Sequence, residues 1–360
     1  MLITRLTLEH YRNIEKADIH LSPGLTVFYG DNAQGKTNLL ESACLCCIGK
    51  SHRGAKDREL IAFNEPWARV EAVCQSDNGE RDVAVYLPAE GKKRILICSN
   101  PITKMADLMG CIVCTVFSPE DLKLVKEGPS LRRKFLDIEL CQLYPSYYDA
   151  LSHYERALSQ RNSLLKQISE NPRLSSSLEA WDTALARHGA KVMQAREKYC
   201  ALLFERAGAV HKDISGGERL HCAYVPGGRD FTEQGLYEAL QAARKEDVLR
   251  GMTTTGAHRD DFSMALDGMD LRAYGSQGQQ RTAALSLKIA QLHHATDVLG
   301  EPPVFLLDDV LSELDEKRQR ALAEGLSGLQ ALLTCAGTGA PGVFAGHEMA
   351  VYRVENGTFV

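Results

Sequence analysis

Two segments near opposite ends of the chain carry residue patterns of phosphate chemistry, and together they constrain the fold more than any other feature. The first occupies residues 30–37 and reads Gly-Asp-Asn-Ala-Gln-Gly-Lys-Thr, a full match to G-x-x-x-x-G-K-[ST]. It follows the apolar run Leu25–Tyr29 and precedes a helix-like stretch at 37–47. The pattern therefore predicts a buried strand, a glycine-rich turn and a helix whose N-terminus can bind phosphate.

This first segment is a candidate nucleotide-binding loop. In such loops the lysine pairs with the β and γ phosphates and the next hydroxyl binds Mg²⁺, which assigns these roles to Lys36 and Thr37. The alternative is a turn that binds no phosphate, and the flanking strand and helix disfavour it. The residues expected to contact ATP are Gly30, Asp31, Asn32, Ala33, Gln34, Gly35, Lys36, Thr37 and Asn38.

The second segment is the apolar run Val304–Asp308 followed by Asp309, so it ends in two carboxylates. It predicts a buried parallel strand that presents both acids at its C-terminal end. Asp308 is expected to hold Mg²⁺ and Asp309 to orient or deprotonate the attacking water, so Lys36, Asp308 and Asp309 are the predicted catalytic residues. By itself this pattern is weak, because buried strands often end in Asp at a turn.

Two Ser-Gly segments compete for the signature that ATP-binding cassette ATPases place before the acidic strand. Residues 214–218 read Ile-Ser-Gly-Gly-Glu, close to the transporter signature, but the residues after them alternate like a strand. Residues 274–281 lead instead into a helical pattern, as a signature requires. We therefore assign the signature to Ser276, Gln277 and Gly278, which in such ATPases meet the γ-phosphate of a nucleotide held by the other protomer.

Several blocks of the sequence together resemble the RecF family, in the SMC-like group of cassette ATPases. These blocks are residues 8–13, 30–38, 49–53, 117–122, 128–137, 256–261, 276–281 and 307–315. The segment 119–137 and the Ser-Gln-Gly-Gln-Gln-Arg at 276–281 discriminate best, because many families share the nucleotide-binding loop. The resemblance implies an α/β fold, with a discontinuous ABC-type P-loop ATPase head and an inserted α-helical arm lobe.

The resemblance also implies partners and a task. A chain of this kind is expected to bind ATP and Mg²⁺, to form an ATP-dependent homodimer head to head, and to use slow hydrolysis as a switch. The expected DNA is duplex next to a single-stranded gap, including the junction, without sequence specificity. The expected protein partner is RecR, the expected outcome is loading of recombinase at gaps, and the expected location is the cytoplasm.

Three further positions bear on the nucleotide site. Arg12 follows the first strand and is expected to approach the nucleotide phosphates, with a surface salt bridge as the alternative. Residues 117–122 stand where transporters carry a glutamine loop, but they offer Glu120 and Asp121 instead. The γ-phosphate sensor stays unassigned, since Thr338 lies near the strand that precedes it and His347 lies farther on.

Net charge limits where DNA can bind. At −5 the chain has no global basic field, so a DNA surface must be local. Three basic stretches are candidates: Lys50, Arg53, Lys56 and Arg58; Lys92, Lys93 and Arg94; and Arg132, Arg133 and Lys134. We favour Lys50, Arg53 and Lys56 because they follow the predicted P-loop helix, although a solvated face is the simpler reading of any such stretch. No apolar run reaches the 18 residues of a membrane span, so no membrane partner is expected.

A helical insertion is predicted to divide the head. The expected parts are residues 1–125 with the P-loop, 126–252 as the arm lobe, and 253–360 with the signature and both acids. Residues 131–168 and 178–214 have helical periodicity, with Leu151, Leu158 and Leu165 on one apolar stripe. A break at Asn171-Pro172 predicts a projecting antiparallel hairpin, with a fully buried helical core as the alternative.

Other classes of protein share parts of this pattern. The nucleotide-binding subunit of a transporter is one alternative, and the helical insertion and the segment 119–137 argue against it. A P-loop kinase acting on a small molecule is another, but it would not need a signature. A scaffold that binds ATP without hydrolysing it also remains open.

Overall fold

The computed structural model describes residues 1–326, 328–337, 342–344 and 348–360. The α-helices are α1 (Lys36–Ile48), α2 (Pro129–Leu143), α3 (Pro145–Ile168), α4 (Leu178–Ser215), α5 (Glu233–Arg250), α6 (Leu271–Tyr274), α7 (Gln277–Leu299) and α8 (Glu316–Gly325). The strands are β1 (Leu2–Tyr11), β2 (Ile14–His20), β3 (Leu25–Tyr29), β4 (Trp67–Ser76), β5 (Gly79–Pro88), β6 (Arg94–Ile97), β7 (Asn100–Pro101), β8 (Cys114–Phe117), β9 (Leu220–Val225), β10 (Asp261–Leu266), β11 (Met269–Asp270), β12 (Val304–Asp308), β13 (Ala331–Cys335), β14 (Met349–Glu355) and β15 (Thr358–Phe359).

A mainly parallel sheet forms the centre of the head, in the order β15-β14-β3-β13-β12-β8. Every residue of β12 and β13 is buried, which explains why these strands read as continuous apolar runs rather than as alternating ones. Both β3 and β12 run parallel to β13, which lies between them. The nucleotide-binding loop after β3 and the acids at the end of β12 therefore emerge at the same edge, as the sequence predicted.

Helix α1 lies between this sheet and an antiparallel sheet of order β2-β1-β4-β5-β6-β7. Every residue from Leu39 to Ile48 is buried, including Cys44, Cys46 and Cys47, so these three thiols are part of the core. Gln330 joins the two sheets at one end, because its side-chain amide accepts from the Ile3 N–H at 2.7 Å and donates to the Ile3 carbonyl at 2.8 Å. The other face of the parallel sheet is covered by apolar side chains of α7 and α8.

The arm consists of α2, α3, α4 and α5 with a small sheet of order β11-β10-β9. The helical periodicity predicted over 131–168 corresponds to two helices rather than one, because α2 ends at Leu143 and α3 begins at Pro145. Tyr144 between them is extended, with φ −134° and ψ 93°, since a residue before proline is pushed out of the helical region. The predicted apolar stripe is partly buried: Leu165 is fully buried, but Leu151 and Leu158 are half-buried, whereas Tyr154 and Ala157 are buried.

Arg161 is the centre of the packing between arm helices. Its side chain is fully buried and donates to Asp182 of α4 at 2.6 Å, to Asp247 of α5 at 2.6 Å and to Thr253 at 2.8 Å. A buried guanidinium is tolerated when carboxylates neutralise it and accept its hydrogen bonds. This cluster of charges therefore holds three arm helices and the following loop in one arrangement.

We expect Arg161→Ala to lower the free energy of unfolding by about 3–5 kcal/mol, because it removes the buried cation that Asp182 and Asp247 share and leaves only Arg244 beside Asp182. Urea unfolding followed by circular dichroism measures the change. Arg187→Ala is the matched control, since its ion pair with Glu233 is exposed and such pairs contribute about 1 kcal/mol or less. Equal losses in the two variants would contradict this role for Arg161.

Candidate nucleotide site

The turn between β3 and α1 requires glycine at two positions. Gly30 has φ 146° and a Cβ there would lie 2.5 Å from the Val354 carbonyl oxygen. Gly35 has φ 113° and a Cβ would lie 2.9 Å from the Asn13 side-chain oxygen. The turn itself consists of Gly30, Asp31, Asn32, Ala33, Gln34 and Gly35. Its backbone can take this path only because these two positions have no side chain.

Lys36 and Thr37 begin α1 directly after this turn. The Lys36 ammonium is largely buried and donates to the carbonyls of Gly30 and Asp31, both at 2.6 Å, so it lies across the loop. The Thr37 hydroxyl donates to Asp308 Oδ1 at 2.7 Å. Two residues from opposite ends of the chain therefore meet at the sheet edge.

The β1–β2 turn supports the P-loop from one side. The Asn13 side-chain amide donates to the Gln34 carbonyl at 3.0 Å, and the Asn38 amide donates to Asn13 at 2.8 Å. The Gln34 side chain accepts from the Asn356 N–H at 2.6 Å. The predicted binding residues of the loop are thus fixed by contacts with both ends of the head.

Arg12 lies in this turn, but its guanidinium binds the carboxylate of Glu41. It donates to both carboxylate oxygens of Glu41 at 3.0 Å and to the Glu59 carbonyl at 2.9 Å. Glu41 lies within α1 and is fully buried, and it also accepts from the Ser51 hydroxyl at 2.5 Å. Burial alone would raise the pKa of Glu41, but the hydrogen bonds from Arg12 and Ser51 lower it below its ordinary value. Arg12 therefore stabilises a charge inside the P-loop helix, rather than forming only a surface salt bridge.

Thr334 of β13 orients both acids, and the sequence analysis did not identify it. Its hydroxyl lies 3.0 Å from Asp308 Oδ1, and it accepts from the Asp309 N–H at 2.9 Å. The available signal was a polar residue within an otherwise apolar strand. Asp309 has φ 50°, and burial raises its pKa, as does the neighbouring Asp308 carboxylate, whereas Lys36 lowers it. A carboxylate with a raised pKa is the better acceptor for a proton from water.

This donor set fits Mg²⁺. Thr37 and Asp308 offer a hydroxyl and a carboxylate within hydrogen-bonding distance of each other, and Mg²⁺ prefers oxygen ligands. Within the described residues, no three His, Cys, Asp or Glu side chains are grouped to hold a metal by themselves. Mg²⁺ in nucleotide sites is usually held by only one or two protein groups together with phosphates and water, so the arrangement is compatible with it.

The signature residues begin α7 as predicted. Ser276 is the N-cap residue, and Ser276 and Gln277 are exposed. The Gly278 carbonyl accepts from Arg318 of α8 at 2.9 Å, and Arg281 donates to the Glu313 carbonyl at 2.6 Å. Residues 214–218 instead end α4 and lead to β9, which confirms that they are not the start of a signature helix.

Three basic stretches of the sequence meet around one cleft beside the C-terminal end of α1. The Lys93 ammonium donates to the Gly49 carbonyl at 2.7 Å, and the Lys134 ammonium donates to the His52 carbonyl at 2.9 Å. The cleft has a volume of about 480 Å³, and its charged lining residues are Lys50, Lys93, Arg133, Lys134, Asp137 and Glu155. Lys50, Arg53 and Lys56 are all exposed; Lys50 lines the cleft, whereas the Arg53 guanidinium lies 3.5 Å from Asn38 Oδ1, near the start of α1. Sequence spacing could not reveal this convergence.

Glu120 and Asp121, which stand where transporters carry a glutamine loop, both form ion pairs with lysines. Asp121 pairs with Lys288 of α7 at 2.8 Å, and Glu120 pairs with Lys123 at 2.8 Å. Thr338 and His347 lie outside the described residues. In the part of the chain that the structure describes, no helix combines the length and the apolar character needed to cross a membrane.

The fold, the P-loop, the paired acids and the helix-capping signature define an ATPase head of the ABC type, as found in SMC-like proteins. An Smc head domain from Pyrococcus furiosus has the same fold, with a TM-score of 0.58 at 15% identity over 99% of this chain and 94% of that one. The family model described as RecF/RecN/SMC N terminal domain matches residues 2–336.

Relatives of higher sequence identity assign the chain to one family within this class. DNA replication and repair protein RecF of Agathobacter rectalis is 43% identical over 94% of this chain and 92% of its own length. The same protein of Clostridium perfringens is 40% identical over 99% of both chains. The structure of the recombination mediator protein RecF with ATP superposes with a TM-score of 0.92 at 33% identity, over 99% of this chain and 96% of that one. The chain belongs to the RecF family and is an ATPase.

We expect Thr334→Ala to slow ATP hydrolysis about 10–100-fold with little change in ATP affinity, because the hydroxyl orients Asp308 and Asp309 without belonging to the loop. Steady-state hydrolysis and equilibrium binding of a fluorescent ATP analogue measure the two effects. Thr334→Ser retains the hydroxyl and is expected to hydrolyse ATP at close to the original rate. An unchanged rate in Thr334→Ala would contradict the assignment.

Proposed function

We propose that this chain is an ATP-dependent DNA-binding protein of recombinational repair and replication restart. The observation that carries the proposal is the convergence of three basic stretches around one cleft at the far end of the P-loop helix. The DNA is duplex next to a single-stranded gap, bound without sequence preference. RecR is the proposed protein partner and loading of recombinase at gaps the proposed outcome, with the cytoplasm as the location. Support comes from the relative described as a recombination mediator of the RecFOR pathway.

The P-loop and the acids supply the nucleotide chemistry in this proposal. Lys36 neutralises the β and γ phosphates of ATP, and backbone N–H groups of the turn surround them. Thr37 and Asp308 hold Mg²⁺, which when bound neutralises charge that develops on the phosphates. Asp309 orients the attacking water and receives its proton, while Thr334 keeps both acids in place.

ATP joins two copies of the chain in this proposal. Ser276 presents its hydroxyl at an exposed helix N-terminus, where a γ-phosphate held by a second copy would be stabilised. Each composite site then needs the P-loop of one protomer and the signature of the other, so ATP binding drives dimerisation and hydrolysis reverses it. The division into residues 1–125, 126–252 and 253–360 stays the domain proposal, with β10 and β11 of the third part forming one small sheet with β9 of the second.

Helix α1 connects this ATP switch to DNA. Glu41 in the middle of the helix binds Arg12 from the β1–β2 turn and Ser51 from the segment that carries Arg53 and Lys56. A change at the nucleotide therefore reaches the basic segment through one buried carboxylate. Family membership argues against the transporter subunit and the small-molecule kinase that the sequence patterns left open.

The DNA surface is tested by replacing Lys50, Arg53 and Lys56 together with alanine. We expect DNA affinity to fall similarly for all sequences and the slope of log K against log salt to decrease by about 3, because each phosphate contact contributes about 1. Fluorescence anisotropy with a gapped duplex over a range of salt concentrations measures both. Replacing exposed Arg187, Lys191 and Lys198 of α4 removes the same charge elsewhere and is expected to leave the slope unchanged. An unchanged slope in the first variant would place the DNA on another surface.

The composite site is tested by mixing two inactive variants. Lys36→Ala should abolish ATP binding, and Ser276→Arg should bind ATP but fail to dimerise because a bulky side chain then occupies the interface. Their heterodimer contains one intact site and one doubly altered site, so DNA-stimulated hydrolysis should partly recover on mixing. Hydrolysis rates and light scattering are the measurements. If Ser276→Arg alone dimerises and hydrolyses ATP normally, the signature assignment is refuted.

A further inference from the structure

The segment that resembles a transporter signature lies against the signature of this chain. After α4 ends at Ser215, Gly216 and Gly217 take positive φ values of 84° and 126°, and the chain turns sharply. The Glu218 N–H donates to the Ser215 hydroxyl at 3.0 Å, which fixes the turn. The turn directs the Glu218 carboxylate toward α7, where the Gln279 side-chain amide donates to Glu218 Oε1 at 2.8 Å.

Gln279 is part of the cap that shapes the signature. The Gln279 N–H donates to the Ser276 hydroxyl oxygen at 3.2 Å, and the Ser276 N–H donates to Gln279 Oε1 at 2.9 Å. Because a carboxylate can only accept, Glu218 requires the amide nitrogen of Gln279 to face it. In that orientation the amide oxygen faces the Ser276 N–H, which is the orientation that the cap needs.

The second carboxylate oxygen of Glu218 lies near a buried histidine of α4, which in turn lies near α7. Oε2 lies 3.7 Å from Nε2 of His211, a fully buried residue in the penultimate turn of α4. The other ring nitrogen of His211 lies 3.3 Å from the Ser286 hydroxyl of α7. The end of the long arm helix and the start of the signature helix are thus joined by side chains. On the opposite side, Arg318 holds the Gly278 carbonyl at 2.9 Å.

We propose that Glu218 is a positioning residue of the signature. By fixing the Gln279 amide, it holds the backbone and the hydroxyl of Ser276 in the geometry that receives the γ-phosphate of the second copy. The inference rests on the ATP-dependent dimer proposed above. Since Glu218 lies three residues after the end of α4 and its carboxylate lies 3.7 Å from His211 of that helix, it also connects the arm to the composite site.

The test compares Glu218→Ala with Glu218→Gln. In Glu218→Ala we expect ATP affinity of the monomer to change less than about twofold and the dissociation constant of the ATP-bound dimer to rise about tenfold, as for loss of a hydrogen bond to a charged group. Glu218→Gln retains an acceptor oxygen at the same reach and is expected to dimerise within about threefold of the original protein. Glu205→Ala removes an exposed carboxylate from α4 and is the matched control, with no expected change.

A second background separates positioning from general stability. If Glu218 acts through Gln279, Glu218→Ala should change dimerisation less than about twofold in a Gln279→Ala protein, whereas a separate structural effect would persist. Analytical ultracentrifugation with ATP measures all four dissociation constants. Normal dimerisation of Glu218→Ala, or the same tenfold effect in both backgrounds, overturns the inference alone. Failure of the unaltered protein to dimerise with ATP overturns the proposed function as well.

Discussion

The burial of α1 between two sheets is the constraint on which the rest of the head depends. Thirteen residues long, the helix spans about 20 Å and has no exposed face over most of that length. The P-loop precedes its first residue and the basic cleft adjoins its last. Since a close-packed helix cannot shift without disturbing both sheets, the nucleotide loop and the cleft are held at a fixed separation.

Polar side chains inside this packed structure connect elements that are distant in the sequence. Glu41 is the only charge carried on the buried length of α1 between Leu39 and Ile48, and it is neutralised by Arg12 and bound by Ser51. In the arm, Arg161 fixes the helices to one another. At the base of the arm, Glu218 connects α4 to the signature. Each of these three side chains carries a buried or half-buried charge, and its loss would leave a hydrogen-bonding partner unsatisfied. Each contact is therefore more specific than apolar packing.

Local patterns in the sequence determined the chemical core of the site. The P-loop, the acidic strand and the signature helix are each encoded by consecutive residues, so apolar period, glycine positions and helix caps were sufficient to place Lys36, Asp308 and Ser276. The same patterns distinguished residues 276–278 from residues 214–218, because the first segment begins a helix and the second leads to a strand. The break at Pro145 was also encoded locally, although leucine spacing obscured it.

Only the tertiary structure decided which distant residues meet. Thr334 contacts the acids because β13 lies next to β12. The local periodicity of a sequence does not determine the order of strands in a sheet. Lys93 and Lys134 join the basic segment after α1 because a sheet and an arm helix pack at its end. Glu218, in the segment not assigned as the signature, contacts Gln279 beside the segment that is. Such contacts depend on the packing of whole elements, whose energies are summed over many residues. Local sequence patterns therefore determined the chemical groups of the site, and the fold determined which residues support them.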